Sequence, residues 1–251
     1  MAQRTSTTSG GRFGRNRLFA SASIEAVAGA DGVTRLPVLA SQVPLVLRRT
    51  PDAVYLVGGA AGPIGGDELS LRIDVGPGAF LRMRTAAAAI ALPGPDGLES
   101  VLRVSVSVGA GGRLEYLPEP AVVTAGARHA TLVSVTLAAG ASLALRDEVL
   151  LGRHDETGGT ARWVLQVSYA GRPLLRQSLS VSGCDPASLG PAVLAGHRAA
   201  GTLLLVNEPG AAEIPVLATA EAAVMPLAGP GVLVTALAHD AVSLRQRLTV
   251  L

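Results

Sequence analysis

The chain has 251 residues and a formal net charge of +2, from 21 basic and 19 acidic residues. This length suffices for one large domain with a substantial core. Hydrophobic residues make up 49% of the chain and aromatic residues only 3%, so Val, Leu and Ala must build that core. With so few aromatic platforms for bases, we expect no nucleic-acid binding.

Single residue types exclude several classes of site. All 21 basic residues are Arg, so a P-loop Lys, a Schiff-base Lys and a carbamylated metal-bridging Lys are excluded. The single cysteine, Cys184, excludes an internal disulfide framework and a cysteine-rich zinc site, and it predicts a cytoplasmic setting. No apolar run approaches the roughly 20 residues of a membrane span, so we expect no membrane association.

The chain divides into two parts by composition. Residues 1–17 are rich in Ser, Thr, Gly and Arg and are predicted to be a disordered tail. Residues 18–251 are predicted to form a single β domain. Asp31-Gly32 between apolar stretches indicates a hairpin turn near its start.

A pattern of strand, Gly turn and strand repeats through the middle of the chain. In each copy an apolar residue is followed by a Gly three positions on and by another apolar residue six positions on. The copies begin at Val75, Val108 and Leu137, with a looser one at Tyr169. The strands before them alternate apolar and polar residues, as half-buried strands do. We therefore predict stacked β-sheets of repeated hairpins over residues 24–182, β-helix-like or layered, with Gly78, Gly111 and Gly140 at equivalent turns.

The rest of the chain carries weaker signals. The Ala-rich segment Thr85–Leu92 predicts one short helix. Ser188–Ala200 predicts a second, with Ser188 as its N-cap and Gly201 as its end. Beyond it we predict four strands: Leu203–Val206, Ile214–Leu217, Val232–Leu237 and Val242–Leu251.

The candidate chemistry lies in carboxylates rather than in His or Cys. None of the four His residues has the short spacing of a preformed metal site. Asp67 follows a Gly-rich loop, and Glu148 lies in a segment that is apolar on both sides. A carboxylate in such a segment is costly unless paired, and Arg146 and Arg153 are near enough in sequence to pair with Glu148. Two interpretations stay open for each carboxylate: a structural interaction, or a place along a polar passage.

An ordered set of motifs resembles the family of urease accessory proteins called UreD, or UreH in some species. The resemblance covers residues 24–207, and Ile90 stands near a position where the family pattern has Lys. The motifs are Gly32-Val33-Thr34-Arg35-Leu36, Pro44-Leu45, Arg49, Gly58-Gly59 with Gly65-Gly66-Asp67, Gly78-Ala79, Leu114-Glu115-Tyr116-Leu117-Pro118, Glu148 with Leu151-Gly152-Arg153, Gly171-Arg172-Pro173-Leu174, and Leu189-Gly190-Pro191 with Gly196.

The resemblance implies a non-enzymatic scaffold of stacked β-sheets. Such a protein would bind the accessory proteins UreF and UreG, dock on urease apoprotein and assist nickel insertion into the urease active site. It would hold no cofactor tightly, and Ni²⁺ would pass transiently, with Asp67 and Glu148 as candidates for its route. The alternative is a β-solenoid hydrolase or lyase that uses these carboxylates as acid and base.

Overall fold

A computed structural model of the chain describes residues 17–249, so the predicted tail 1–17 lies outside the described residues except for Arg17. The described part is mainly β, as predicted. Its strands are β1 (Phe19–Ala28), β2 (Thr34–Ala40), β3 (Leu45–Arg49), β4 (Val54–Gly58), β5 (Glu68–Val75), β6 (Phe80–Thr85), β7 (Ala89–Ala91), β8 (Ser100–Val108), β9 (Arg113–Tyr116), β10 (Ala121–Val123), β11 (Arg128–Leu137), β12 (Ser142–Leu151), β13 (Thr160–Tyr169), β14 (Arg172–Ser182), β15 (Ala199–Val206), β16 (Leu217–Ala218), β17 (Ala222–Pro226) and β18 (Gly231–Ala238). Its α-helices within this range are α1 (Pro186–Leu189) and α2 (Ala241–Leu248), and two short 3-10 helices lie at Pro95–Gly97 and Ala211–Glu213.

The strands form two stacked sheets. The seven-stranded sheet has the order β14-β13-β11-β8-β5-β1-β2. The 11-stranded sheet has the order β16-β17-β18-β15-β12-β9-β6-β4-β3, with β10 and β7 continuing beside β12. The centre of each sheet is parallel, and antiparallel strands complete both edges. No helix within residues 17–249 is long and apolar enough to cross a membrane.

The stacked, β-helix-like arrangement predicted for residues 24–182 is confirmed, but the repeated unit is a crossing between sheets and not the predicted hairpin. Each of the three clear repeats takes the chain from the seven-stranded sheet to the 11-stranded sheet, for example from β5 to β6. Successive copies then pair in parallel, as β5 does with β8 and β6 with β9. Only the looser fourth copy, at Gly171, is a true antiparallel hairpin, between β13 and β14. Alternation predicts a half-buried strand but does not identify its partner.

The turn glycines lie above one another along the stack. Gly78, Gly111 and Gly140 have φ angles of 66°, 66° and 75°, a region that glycine enters without steric cost. Neighbouring turns are tied by backbone hydrogen bonds, such as that from Gly109 N to Val75 O at 2.7 Å. The same sequence pattern therefore places the same backbone conformation at each level of the stack.

The main hydrophobic core lies between the sheets and is built from ladders of aliphatic residues. One ladder crosses the seven-stranded sheet through Ile24, Ile73, Val106, Val135 and Val167, all of which are buried. Residues of β6, β9 and β12, including Leu114 and Leu143, face it from the other sheet. Burial of each such side chain contributes about 1.5–3 kcal/mol, so this layer is the main source of stability.

Three element predictions in the weaker regions are wrong. Thr85–Leu92 contains the end of β6 and strand β7, because pairing of β7 with β10 overrides the helix propensity of Ala. Ser188–Ala200 is not one helix: α1 ends at Leu189, and Ala199 begins the buried strand β15. Val242–Leu251 is not a strand, since α2 occupies Ala241–Leu248 and residues 250–251 lie outside the described range.

The other C-terminal strands are closer to the prediction. Leu203–Val206 lies in β15 and Val232–Leu237 lies in β18. Of Ile214–Leu217 only Leu217 is in a strand. Helix α2 packs on β15 and β18, where Leu244 and Leu248 join a second core on the outer side of the 11-stranded sheet.

Candidate functional site

The charged segment of β12 lies in the middle of the 11-stranded sheet. Arg146, Asp147 and Glu148 follow one another in a strand whose other members are mostly buried. Because side chains alternate along a strand, Arg146 and Glu148 share the outer side, under α2. Asp147 points to the opposite side, between the two sheets. The segment therefore presents acidic groups to both sides of one strand.

Glu148 is held by two arginines. Its side chain is fully buried, and its Oε2 lies 2.6 Å from Arg245 Nη2 and 3.3 Å from Arg146 Nε. Gly201 on the neighbouring strand β15 makes room for this arrangement, since a Cβ there would lie 3.2 Å from Glu148 Cγ and 3.0 Å from Leu248 Cδ1. The glycine thus lets the carboxylate and the helix pack against the same strand.

A second carboxylate closes the group, which we call the β12–α2 charge cluster (Glu119, Arg146, Glu148 and Arg245). Arg245 Nη1 donates to both oxygens of Glu119, at 3.0 and 3.1 Å. Burial lowers the pKa of Arg146, and the charge of Glu148 opposes that effect. The hydrogen bond to Glu148 raises the pKa of Arg245. The cluster therefore holds two acids and two fully charged bases, and it fixes α2 to the sheet.

Asp147 has a different environment from its neighbour. Its Oδ2 is buried and accepts no hydrogen bond from residues 17–249. Burial raises the pKa of Asp147 to about 6, and the charge of Glu148 acts in the same direction. Burial also raises the pKa of Tyr116, which is further raised by the charge of Asp147. An acid without a partner between two sheets is expensive, and such groups cluster at functional sites.

Asp67 organises the Gly-rich loop that precedes it. The side chain is buried, and its Oδ2 accepts a hydrogen bond from Ile64 N at 2.8 Å, while Oδ1 accepts one from Leu18 N at 3.3 Å. Asp67 lies just before β5 in the seven-stranded sheet, whereas Glu148 lies on the far side of the other sheet. The structure does not bring these two carboxylates together, and they have no common hydrogen-bonding partner among the described residues.

The histidines do not assemble a metal site. His129 is buried between the sheets with its Nδ1 2.9 Å from Ser100 Oγ, and burial lowers its pKa to about 4. The His197 and His239 rings stack with their centroids 4.5 Å apart, and His154 is exposed. Within residues 17–249 no three His, Cys, Asp or Glu side chains are grouped to hold a metal ion.

Sequence reasoning identified part of the cluster. Of the two arginines considered for Glu148, Arg146 forms the ion pair, while Arg153 pairs with Glu156 instead. It missed Arg245, because the C-terminal segment was assigned as a strand. The spacing of Leu244 and Leu248 by four residues was the available signal of a helix. It also passed over Asp147, although alternation along β12 would have placed that side chain opposite Glu148.

Comparisons with known proteins agree on one family. The family model described as UreD urease accessory protein matches residues 20–251. The chain is 43% identical to "Urease accessory protein UreD" of Frankia alni, over 96% of this chain and 94% of that protein. It is 47% identical to "Urease accessory protein UreD 3" of Streptomyces griseus, over 88% of this chain and 90% of that protein. The chain therefore belongs to the UreD family of urease accessory proteins.

Proposed function

We propose that this protein is a non-enzymatic scaffold for nickel insertion into urease. In this role it binds UreF and UreG, docks on urease apoprotein and lets Ni²⁺ pass to the urease active site. The observation that carries the proposal is membership of the UreD family across residues 20–251. The rigid stacked sheets and the β12–α2 charge cluster suit a protein that holds partners in place.

The nickel would be cargo and not a resident cofactor. Asp67 and Glu148 are the candidate route residues, and Asp147 joins them as a carboxylate whose buried Oδ2 accepts no hydrogen bond from residues 17–249. Carboxylate oxygens without clustered His or Cys leave Ni²⁺ partly hydrated and easily released. At Glu148 the ion would also compete with two guanidiniums, which further weakens retention. We therefore propose weak and exchangeable nickel binding by the isolated protein.

A carboxylate-dependent hydrolase or lyase has less support. Paired acid–base catalysis needs two carboxyl groups facing one substrate across about 5–10 Å. Asp67 and Glu148 are both buried and each engaged by hydrogen bonds, and Asp67 precedes a strand of one sheet while Glu148 lies in the other sheet. Their arrangement favours the scaffold.

Co-expression with tagged UreF from the same organism tests the scaffold role. We expect the protein to co-purify with UreF and, when UreG is present, to retain UreG as well. A folded, soluble protein that fails to co-purify with UreF would contradict the proposal.

Substitution of the candidate route residues tests the nickel role. Asp67→Asn, Asp147→Asn and Glu148→Gln should each lower urease activation while UreF binding persists. Asp74→Asn is the matched control, because Asp74 forms an ion pair with Arg72 on the outer side of the seven-stranded sheet. Full activation by the triple variant would remove these residues from the route.

A further inference from the structure

A group of arginines and aromatic side chains lies on the outer side of the 11-stranded sheet, away from α2. We call this group the arginine face; its residues are Arg48, Tyr55, Phe80, Arg82, Arg84 and Arg113. They point outward because they alternate with the buried residues Leu47, Leu81 and Leu114. The strand register brings them side by side: Tyr55 lies between Arg48 and Arg84, and Phe80 lies beside Arg113.

Phe80 is an exposed aromatic ring held between two cations. Its exposed fraction is 40%, and the guanidinium carbons of Arg82 and Arg113 lie 5.4 and 5.2 Å from its ring centroid. Both distances are within cation–π range, so the ring and the two arginines restrict one another. An apolar ring that is exposed and already ordered loses little conformational entropy when a partner covers it.

Positive charge on this face exceeds the negative charge that pairs with it. Glu115 accepts contacts from three arginines, at 2.8 Å from Arg82, 2.9 Å from Arg84 and 3.3 Å from Arg113.

Arg113 also pairs with Glu208 at 2.7 Å. Arg48 has no carboxylate at ion-pair distance among the described residues, and its Nη1 donates to the Leu47 carbonyl. Asp52 adds only a weaker, longer-range attraction to Arg82. Three guanidiniums of the face therefore share two carboxylates at ion-pair distance, and the fourth, that of Arg48, has none among the described residues. The face therefore keeps unused donors.

We propose that the arginine face is the docking site for a carboxylate-rich protein surface that covers Phe80 with an apolar side chain. Arg and aromatic residues are enriched at protein interfaces, and a packed aromatic surrounded by polar contacts is typical of a binding hot spot. Complementary charge would steer association and select an acidic partner. The proposal rests on the scaffold role proposed above, which requires such a surface.

The other sheet supplies a matched comparison. Its outer side also carries an exposed Phe19 and an exposed Arg103, on β1 and β8, with neighbouring Ser residues. Phe19 is 58% exposed, more than Phe80, but neither it nor Arg103 takes part in a cation–π contact or ion pair described for residues 17–249. The two faces therefore offer the same residue types with and without the ordered cationic arrangement.

The test uses the full chain with UreF, UreG and urease apoprotein of the same organism. The double variant Arg48→Glu, Phe80→Ala should bind at least one of these partners at least about tenfold more weakly, and wild-type binding should weaken as salt rises. The control variant Arg103→Glu, Phe19→Ala should bind as the wild type does. Melting temperatures close to wild type would show that both variants are folded.

Unchanged affinity of the Arg48→Glu, Phe80→Ala variant for every partner that the wild type binds would overturn the proposal and leave the scaffold role intact. If the wild type binds none of them, the scaffold role fails, and poly-L-glutamate serves as the probe of the face. Salt-sensitive binding of poly-L-glutamate that only the Arg48→Glu, Phe80→Ala variant loses would support the arginine face. Equal binding by all three proteins, or none by the wild type, would overturn it.

Discussion

Arg245 Nη2 in α2 and Glu148 Oε2 in β12 lie 2.6 Å apart, although 97 residues separate them in the chain. The contact fixes the C-terminal helix to the centre of the larger sheet. Since Glu148 is fully buried, its charge depends on Arg245 and Arg146 for compensation. Loss of one partner from a buried ion pair is far more costly than loss of a surface pair.

Arg245→Ala should therefore destabilise the protein by about 3–5 kcal/mol, because Glu148 would keep only its longer contact with Arg146. Chemical denaturation checks the free energy of unfolding. Arg35→Ala is the control: Arg35 and Asp31 also pair at 2.7 Å, but both are exposed, so the loss should be much smaller. Equal losses in the two variants would contradict the structural role assigned to Arg245.

Asp147→Asn should remove the loss of folding stability that ionisation of Asp147 causes as pH rises. Burial raises the pKa of Asp147 to about 6, above its unfolded value, so the native state binds the proton more readily. The contribution of Asp147 to folding stability is present at low pH, where the acid is protonated, and is lost as pH rises through about 6. Because the ionised acid opposes folding at higher pH, the Asn variant should be more stable than wild type by about 1–3 kcal/mol at pH 7.5. An unchanged dependence of melting temperature on pH would contradict this prediction.

His129→Gln should reduce the loss of folding stability at low pH, whereas Asp147→Asn reduces the loss at high pH. Burial lowers the pKa of His129 to about 4, below its unfolded value, so the unfolded state binds the proton more readily. The contribution is present above pH 6.5 and is lost as pH falls through about 4, by about 3 kcal/mol in all. Denaturation at several pH values should show that the free energy of unfolding falls less steeply with decreasing pH in the variant than in the wild type. A slope identical to wild type would show that His129 does not titrate in this way.

Two glycines of one turn should respond differently to substitution by Ala. Gly111 has a φ of 66°, and the nearest atom to its Cβ position, Gly78 N, is 4.0 Å away, which is an ordinary contact. Gly111→Ala should therefore cost only about 1 kcal/mol of backbone strain. A Cβ at Gly109 would lie 2.7 Å from Pro77 N in the turn below, so Gly109→Ala must move the stacked turns and should cost more. Denaturation midpoints of the two variants measure which one is less stable. A larger loss of stability for Gly111→Ala than for Gly109→Ala would contradict the prediction.

Local patterns predicted the strands better than their partners. Alternation of Leu71, Ile73 and Val75 identified a half-buried strand, and the turn glycines identified the repeat. The choice between an antiparallel hairpin and a parallel crossing depends on contacts about 30 residues away, which a local pattern does not contain. The Ala-rich segment after Thr85 shows the same limit, because pairing of β7 with β10 decides its conformation.

The part of the candidate site whose residues are close together in sequence was predictable. Arg146 lies two residues from Glu148 and therefore on the same side of a strand, so its role could be anticipated. Arg245 could not be paired with Glu148 before α2 was recognised as a helix and placed on the sheet. The arginine face is still less visible, since its residues come from β3, β4, β6 and β9 and meet only through the parallel stacking.

Urease activation is the most direct test of the central claim. Cells that express urease and the other accessory proteins, but no UreD homologue, would receive either this chain or an empty vector. We predict that the chain restores both the nickel content and the urea-hydrolysing activity of the purified urease. Soluble, folded protein that leaves both quantities at the empty-vector level would contradict the account.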